Sequence, residues 1–202
     1  MAIANWLNVS PTSGSGNGAV NVKSTTENTG RNARNTTLRW TASGVTAVDR
    51  AVLQKGKPEY VTMDGSASAP QAGASAVTIK GKSNSSKLTF SLGTGELELT
   101  LPATYIANSL TTNNGAAISG DPGATQEYEF SITFSVPANS GVTAISRQII
   151  VRNNEGDEAV CVLTLAAGEP YVTIPEGDIV LEYTANSSAT VQVQSNTNWT
   201  IS

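Results

Sequence analysis

Hydrophobic and polar residues alternate with a period of two along most of the chain, and Gly, Asn, Ser and Pro separate the alternating runs. In GELELTL, the clearest run, Leu97, Leu99 and Leu101 point to one side and the residues between them to the other. A period of two is typical of a β-strand with one buried face. Helix signals are nearly absent. The pattern therefore predicts an all-β fold of many short strands, as in β-sandwiches.

The alternation also gives approximate strand bounds. The predicted strands cover residues 6–9, 19–23, 36–42, 47–54, 60–63, 77–82, 87–92, 96–101, 127–136, 148–152, 158–165, 171–174, 179–183, 190–194 and 199–201. Turn-forming residues separate each strand from the next, which favours antiparallel neighbours joined by short connections.

Internal repetition divides the chain into units. GKPEYVTM, near Gly56, matches GEPYVTIP, near Gly168, and SAVTIKGKSN matches SATVQVQSN. ENTGRNAR matches ANSGVTAISR, and in both an Asn-x-Gly turn precedes an Arg that leads into a strand. The repeats predict that residues 1–57 are the later part of one unit, 58–168 a complete unit with an insertion, and 169–202 the early part of another. The linkers between them are short and contain Pro, which predicts semi-rigid junctions.

Several of these motifs resemble a known family. SNTNWTIS, NWLNVSPTSGSGN, the ENTG…R turn and the closing VLQKG look like successive motifs of BACON domains, which are immunoglobulin-like β-sandwiches of gut Bacteroidota and their phages. The resemblance covers 5–57 and 169–202 well. It is weaker over 58–168, which keeps KSN but lacks the first Trp and the WLxVSPxSG motif. It implies tandem immunoglobulin-like sandwiches with incomplete terminal units, and the family name implies glycan association, although many members are spacers or structural modules.

The two ends of the chain look like parts of one sandwich. Read from the C-terminal segment into the N-terminal one, Trp199 and Trp6 lie nine positions apart, close to the family's spacing. A half sandwich exposes an apolar face, so some completion is expected. The expected completion residues are Trp6, Leu7, Val9, Val191, Val193 and Trp199. Three arrangements are open: closure within one chain, donation of an end to the next copy, or a piece of a longer tandem array.

Charge and composition exclude several kinds of partner. The net charge is −4 and charged residues make up 14% of the chain. The closest group of cations, Arg31, Arg34 and Arg39, is dispersed among Asn and Thr, so nucleic acid and anionic membranes are poor candidates. No apolar run approaches the roughly 20 residues of a membrane span.

Catalytic chemistry is not visible in the sequence. With no histidine and one cysteine, Cys161, the chain excludes His-based triads and His or Cys metal sites. The pairs Glu96/Glu98 and Glu127/Glu129 are expected on solvent faces of strands. Loop carboxylates that could hold calcium are more typical of ordinary turns; they are Asp121, Asp157, Glu158, Glu176 and Asp178. We expect no enzyme activity, no cofactor and no metal.

A long segment, 107–125, has no strand pattern. Structureless insertions of that length are uncommon unless they are functional or mobile. This segment and its flanks are therefore the candidate loop for a partner or glycan, with a mobile surface loop as the alternative. The candidate residues are Tyr105, Asn108, Asn113, Asn114, Asp121 and Tyr128.

Two function classes remain. The first is a bacteriophage virion protein, such as a head-decoration, auxiliary capsid or tail protein, made in the host cytoplasm without a signal peptide. Its expected partners are other copies or other virion proteins, through sheet edges, and host or mucin glycans. The second is a glycan-associated BACON module of a secreted or surface protein. No nucleic-acid or membrane partner is expected for either.

Overall fold

The computed structural model describes residues 2–175 and 177–202, and this part of the chain is nearly all β. One short 3-10 turn, Pro122–Ala124, is its sole helical element. The strands in chain order are β1 Leu7–Ser10, β2 Asn21–Ser24, β3 Arg34–Ala42, β4 Val45–Gln54, β5 Val61–Met63, β6 Ser66–Ala69, β7 Ala74–Ser83, β8 Thr89–Gly95, β9 Thr104–Ala107, β10 Leu110–Asn113, β11 Tyr128–Val136, β12 Ile145–Arg152, β13 Glu158–Leu165, β14 Val172–Thr173 and β15 Gln194–Ser195.

The middle of the chain forms two sheets that share one core. One sheet has the order β10-β9-β11-β7-β5 and the other β6-β13-β12-β8. All their ladders are antiparallel except β13–β6, which is parallel. Inward-facing side chains of both sheets, such as Ile79 and Ile149, are 0% exposed. Residues 58–168 therefore hold the main hydrophobic core; we call them the central unit.

One predicted strand of the central unit is wrong. GELELTL forms no strand after β8, although Leu97 is only 1% exposed and Leu99 and Leu101 pack against the core. The amides of Glu96 and Leu97 both donate to the carbonyl of Ser146, at 2.8 and 3.1 Å, so they make no ladder. The alternation correctly indicated which side chains are buried, but a strand also needs a partner strand.

Other differences concern short or polar strands. Residues 179–183 and 199–201 are not strands in the structure. The sequence pattern missed β6, β9 and β10, which are four residues each. β6 has the sequence SASA, whose alternation rests on Ala side chains that are too small to mark a strand clearly.

Residues 2–57, the N-terminal unit, form two separate strand pairs. β1 pairs with β2 and β3 pairs with β4, both antiparallel. Trp6, Leu7 and Leu38 are its buried hydrophobic side chains, at 9%, 8% and 7% exposure. The rest of the apolar surface of these strand pairs remains exposed.

Residues 169–202, the C-terminal segment, contain one short antiparallel pair, β14–β15. Their large hydrophobic side chains are mostly exposed. These are Tyr171, Val172, Ile174, Ile179, Val180, Leu181, Tyr183, Trp199 and Ile201. The segment therefore has strand-like sequence without a sheet to bury it.

Candidate binding surface: the open N-terminal unit

The strand pair β3–β4 has the same register as β12–β13 of the central unit. Trp40 pairs with Val48 in the first, and Val151 pairs with Ala159 in the second. Each pair follows an Asn-x-Gly turn at the same spacing. The two strand pairs therefore share one register and one position relative to an Asn-x-Gly turn.

The N-terminal unit lacks the strands that flank this pair in the central unit. There, β12 and β13 are bordered by β8 and β6, and β11 lies between β9 and β7. In the N-terminal unit, β3 and β4 pair only with each other and β2 pairs only with β1. The missing partners correspond to β5–β8, which all come from the early part of the central unit.

The missing strands leave a groove between the two strand pairs, and polar as well as apolar side chains line it. Its volume is about 600 Å³, and Val9, Val20 and Leu38 are among its lining residues. Trp40, which also lines it, is 41% exposed, whereas its counterpart Val151 is 0% exposed. The groove lies against the faces of the two strand pairs that carry Val9 and Leu38. We call it the open face.

A cation lies on the open face. Arg50 pairs with Leu38 across the strands, and directly paired residues share a face of the sheet. Arg34 is occupied differently, because its guanidinium lies 4.9 Å from the ring centre of Trp6 and donates to Gln54 Oε1 at 2.8 Å. A strand that covered this face would need a carboxylate or another acceptor for Arg50.

The C-terminal segment repeats the beginning of the central unit. Val172 pairs with Ser195 as Val61 pairs with Ser83. Each of these serines donates from Oγ to the carbonyl of the tyrosine before the first strand. The acceptors are Tyr171, at 2.9 Å, and Tyr60, at 2.6 Å. The segment therefore corresponds to the region of β5–β7, which the N-terminal unit lacks.

An asparagine after each serine ties the units together. Asn84 Nδ2 donates to the carbonyl of Lys57, and Asn196 Nδ2 to that of Glu169, 27 residues away in both cases. Each Asn also reaches the Asn-x-Gly turn of the preceding unit, at Thr29 O (3.2 Å) and Ser140 O (3.4 Å). The junction on either side of the central unit is thus built on one plan.

The two junctions lie at opposite ends of the central sandwich. In the ladder of β7 with β11, Ser83 pairs with Tyr128 at one end, and Ala74 pairs with Val136 at the other. The N-terminal unit joins beside Ser83, and the C-terminal segment joins after Val136. Strands of this length separate their ends by roughly 30 Å. Within residues 2–175 and 177–202, no strand of the N-terminal unit pairs with β14 or β15, so the arrangement described is not closed within one chain.

The expected completion residues accordingly stay in two groups. Trp6 and Leu7 are buried in the N-terminal unit and Val9 is half-buried. In the C-terminal segment, Val191 and Val193 are half-buried and Trp199 is 48% exposed. The structure does not bring the two groups together.

The structure corrects the expectation of a structureless insertion over 107–125. The segment contains β10 and the 3-10 turn, and Ile118 within it is buried. Asn114 accepts from the amide of Phe90 at 2.7 Å and donates to its carbonyl at 2.9 Å. Asp121 forms an ion pair with Arg31 of the N-terminal unit. The insertion therefore braces the first junction, through a contact that the sequence did not reveal.

The aromatic flanks of the insertion belong to the core. Tyr105 and Tyr128 are 2% and 4% exposed, so neither offers a ring to a partner. Burial raises the pKa of Tyr105 to about 12. Tyr128 donates to the carbonyl of Ser85 at 2.8 Å, and burial raises its pKa as well. Of the remaining candidate residues, Asn108 and Asn113 are exposed.

Cys161 lies in the core of the central unit, 0% exposed. Burial raises the pKa of its thiol to about 11. A buried, protonated thiol is a poor nucleophile. Its surroundings are those of a small core hydrophobe.

The carboxylates that sequence analysis considered are engaged locally. Glu98 pairs with Arg147, and Glu158 pairs with Arg152. Asp157 accepts from Asn153 Nδ2 at 2.9 Å. Glu176 lies outside the described residues. Within the described part of the chain, no group of three or more His, Cys, Asp and Glu residues is placed to hold a metal ion.

Glu127 contacts Tyr60, just before β5, and Lys82 in β7. It accepts a hydrogen bond from Tyr60, and Lys82 Nζ lies 3.4 Å from it. The hydrogen bond from Tyr60 lowers the pKa of Glu127, with help from Lys82. These contacts hold the Glu127 carboxylate against Tyr60 and Lys82.

Comparisons with known proteins add no relative: no protein-family model matches the chain, and no curated protein matches it. No helix in residues 2–175 and 177–202 is long and apolar enough to cross a bilayer.

Proposed function

We propose that this chain is a non-enzymatic structural protein that assembles through its open β-sheets. One observation carries the proposal: a complete sandwich bears an incomplete, apolar unit at each end. At roughly 25 cal/mol per Å², about 200 Å² of apolar surface left wet costs about 5 kcal/mol. Total domain stability is only about 5–15 kcal/mol. Coverage of the open face by another protein surface would recover that free energy.

We infer that all three parts are BACON-like immunoglobulin sandwiches, the first and third incomplete. The equivalent strand registers and the repeated Asn junctions support this arrangement. Hydrogen-bonded junctions suit a stiff connecting element, since bending at them would break several bonds at once. A stiff chain with unpaired sheet edges suits an ordered protein assembly such as a shell or a shaft.

The setting that we propose is a bacteriophage virion, as a head-decoration, auxiliary capsid or tail component. The resemblance to BACON domains of gut Bacteroidota and their phages supports this setting. Its partners would be other copies or other virion proteins, which contact it through sheet edges.

Mass spectrometry of density-purified particles tests this setting. The particles come from the bacterial culture that produces the protein. We expect the chain to band with the particles and to keep a fixed ratio to the main shell or tail protein across fractions. Its recovery only from the cell envelope or culture supernatant would contradict the proposal.

A glycan-associated module of a secreted or surface protein is the second candidate. Exposed aromatic side chains favour it: Trp40 is 41% exposed, Trp199 48% and Tyr183 99%. Exposed aromatic rings are the usual platforms for apolar faces of ligands. A glycan array compares the wild-type chain with W40A and W199A. Sub-millimolar binding that either substitution abolishes would favour this candidate, whereas silence across the array favours the structural role.

A further inference from the structure

We propose that the open face of one copy is covered by residues 169–202 of a second copy. This inference rests on the proposed structural function and specifies its assembly. Residues 169–202 supply the strands that correspond to β5–β7, and they dock against β1–β4 of the neighbour. Each composite sandwich then combines the C-terminal segment of one copy with the N-terminal unit of the next.

The first argument is the match between what is missing and what is present. The central unit shows that β7 borders β11 and that β6 borders β13. In the N-terminal unit the equivalent edges, on β2 and β4, have no partner strand. The C-terminal segment carries an equivalent of β7, since β14–β15 has the register of β5–β7, and residues 177–180 follow β14 at the spacing at which β6 follows β5. One segment therefore fits edges on both strand pairs.

The second argument is the apolar pattern of the segment. Its motif SATVQVQSN aligns with SAVTIKGKSN, which places Val191 at the position of Ile79. Ile79 is 0% exposed and pairs with Ile132 in the central unit. In the composite sandwich, Val191 would face the same interior, toward the side of the first strand pair that carries Val20. Both valines are incompletely buried in the single chain.

The third argument is charge. The N-terminal unit, 1–57, has seven Lys and Arg residues and two acidic ones, a net charge of +5. The segment 169–202 has four acidic residues and no Lys or Arg, a net charge of −4. The open face carries Arg50, which needs an acceptor once it is covered. Within the segment, the carboxylates of Asp178 and Glu182 are the candidate acceptors for Arg50. Opposite charges on the two surfaces steer encounter and favour this partner over a like-charged one.

The geometry of the chain makes the assembly head-to-tail. Because the two incomplete parts lie at opposite ends of the central unit, one chain uses its acceptor at one end and its donor at the other. The contact is therefore heterologous, so repeated contacts produce either a ring or an open filament. Main-chain bonds of the added strand supply part of the affinity, and buried side chains supply the specificity.

Two single substitutions separate the donor from the acceptor. W40D places a charge on the open face and blocks the acceptor, while V191D blocks the donor. Each variant keeps the other half of the contact intact. The matched controls are L53D, on the outer face of β4 where Leu53 is 62% exposed, and Q194D, at an exposed position beside Val193.

Light scattering coupled to size-exclusion chromatography, over a concentration series, gives the result. We expect concentration-dependent oligomers for the wild type, L53D and Q194D. W40D and V191D alone should be monomers, with association weakened roughly 30-fold or more. An equimolar mixture of W40D and V191D should give a dimer and nothing larger, because only one competent contact remains.

Several outcomes would overturn the inference. A wild type that stays monomeric at every concentration would do so, as would oligomers of W40D or V191D alone, or a mixture that forms no dimer. Protection of the Cys161 thiol from alkylation in both variants checks that the central unit is folded. If the chain is found in virions and any of these outcomes is also obtained, this contact is refuted. The proposed structural function then still stands.

Discussion

The same strand pair occurs twice in this chain, once in a complete sandwich and once in an open one. β12–β13 and β3–β4 share their register, yet Val151 is 0% exposed and the equivalent Trp40 is 41% exposed. Local sequence and hairpin pairing are therefore enough to form the strand pair. Burial is decided by the strands that flank and face it, and these come from the early part of a unit.

The two strand pairs also differ in the residue that pairs with the buried apolar side chain. Ile149 pairs with Cys161 in the central unit, and Leu38 pairs with Arg50 in the N-terminal unit. The closed core holds a small hydrophobe at this position, while the open face holds a cation. An uncovered face tolerates Arg50 because water solvates its guanidinium, and a covered face must supply an acceptor for it.

Truncation at the equivalent apolar positions should have the largest effect. I149A removes a side chain that is 0% exposed and should lower the free energy of unfolding of the central unit by about 2–5 kcal/mol. L38A, at the equivalent position beside the groove, should cost less than half as much, because Leu38 is 7% exposed but is not enclosed within a two-sheet core. Urea denaturation of the two variants measures both values. Equal losses would show that the N-terminal unit is as closed as the central one.

Replacement of the buried junction asparagine, Asn84, should destabilise the chain more than replacement of the less buried one, Asn196. Asn84 is 0% exposed and accepts from the Tyr60 amide at 2.9 Å, so N84A leaves buried backbone groups unpaired and should cost about 1–3 kcal/mol. Asn196 makes the equivalent bond to Tyr171 in an exposed setting, so N196A should cost less than about 1 kcal/mol. Thermal unfolding of both variants tests this difference. A larger loss for N196A would contradict it.

The hydrogen bond between Tyr60, just before β5, and Glu127 should contribute to stability in a pH-dependent way. The hydrogen bond from Tyr60 lowers the pKa of Glu127, so its contribution is present above the unfolded value of about 4.3 and is lost as pH falls through the folded value. E127Q should therefore destabilise the chain by about 1 kcal/mol or less at pH 7. The difference from wild type should shrink as pH falls below about 4.3 and through the lowered pKa of Glu127.

Urea midpoints of E127Q and wild type at pH 7, 5 and 3.5 measure this effect. E129Q, on the same strand, is the matched control for loss of a carboxylate. A destabilisation by E127Q that persists undiminished at pH 3.5 would show that charge on Glu127 is not its cause.

The ion pair at the first junction should have the smallest effect. Arg31 and Asp121 are 24% and 44% exposed at their side chains, and pairs with such exposure contribute about 0–1 kcal/mol. D121N should therefore change the unfolding midpoint little. Arg31 still donates from Nε to the carbonyl of Asn84 at 2.7 Å. A loss of several kcal/mol would show that the insertion does more than brace the junction.

The sequence predicted the class of fold because alternation reports which side chains are buried. It correctly indicated Leu97 as a core residue but wrongly predicted a strand there, since strand formation depends on a partner that lies far away in sequence. β6 was missed because the apolar positions of SASA are Ala, a side chain too small to give a clear signal. The insertion was expected to be structureless because its anchors, Asn114 and Asp121, act on residues distant in sequence.

The repeats could be recognised in the sequence, but the open face could not be located from them. Matching motifs located the junctions, since the same Asn and Ser positions recur in both. Exposure of Trp40 could not be predicted, because its strand has the same apolar pattern as a strand in a closed core. Only the absence of a second paired strand beside β2 and β4, within the described residues, distinguishes the two cases.

Disulfide trapping between copies tests the central claim most directly. Val20 and Val191 are replaced by cysteine in separate full-length chains, which are mixed under mild oxidation; Cys161 is buried and does not compete. The account predicts a cross-linked V20C–V191C dimer, and little product for the control pair N21C and V191C, whose side chains leave opposite faces. No V20C–V191C product, or equal yields for both pairs, would contradict completion of the open face by the second copy.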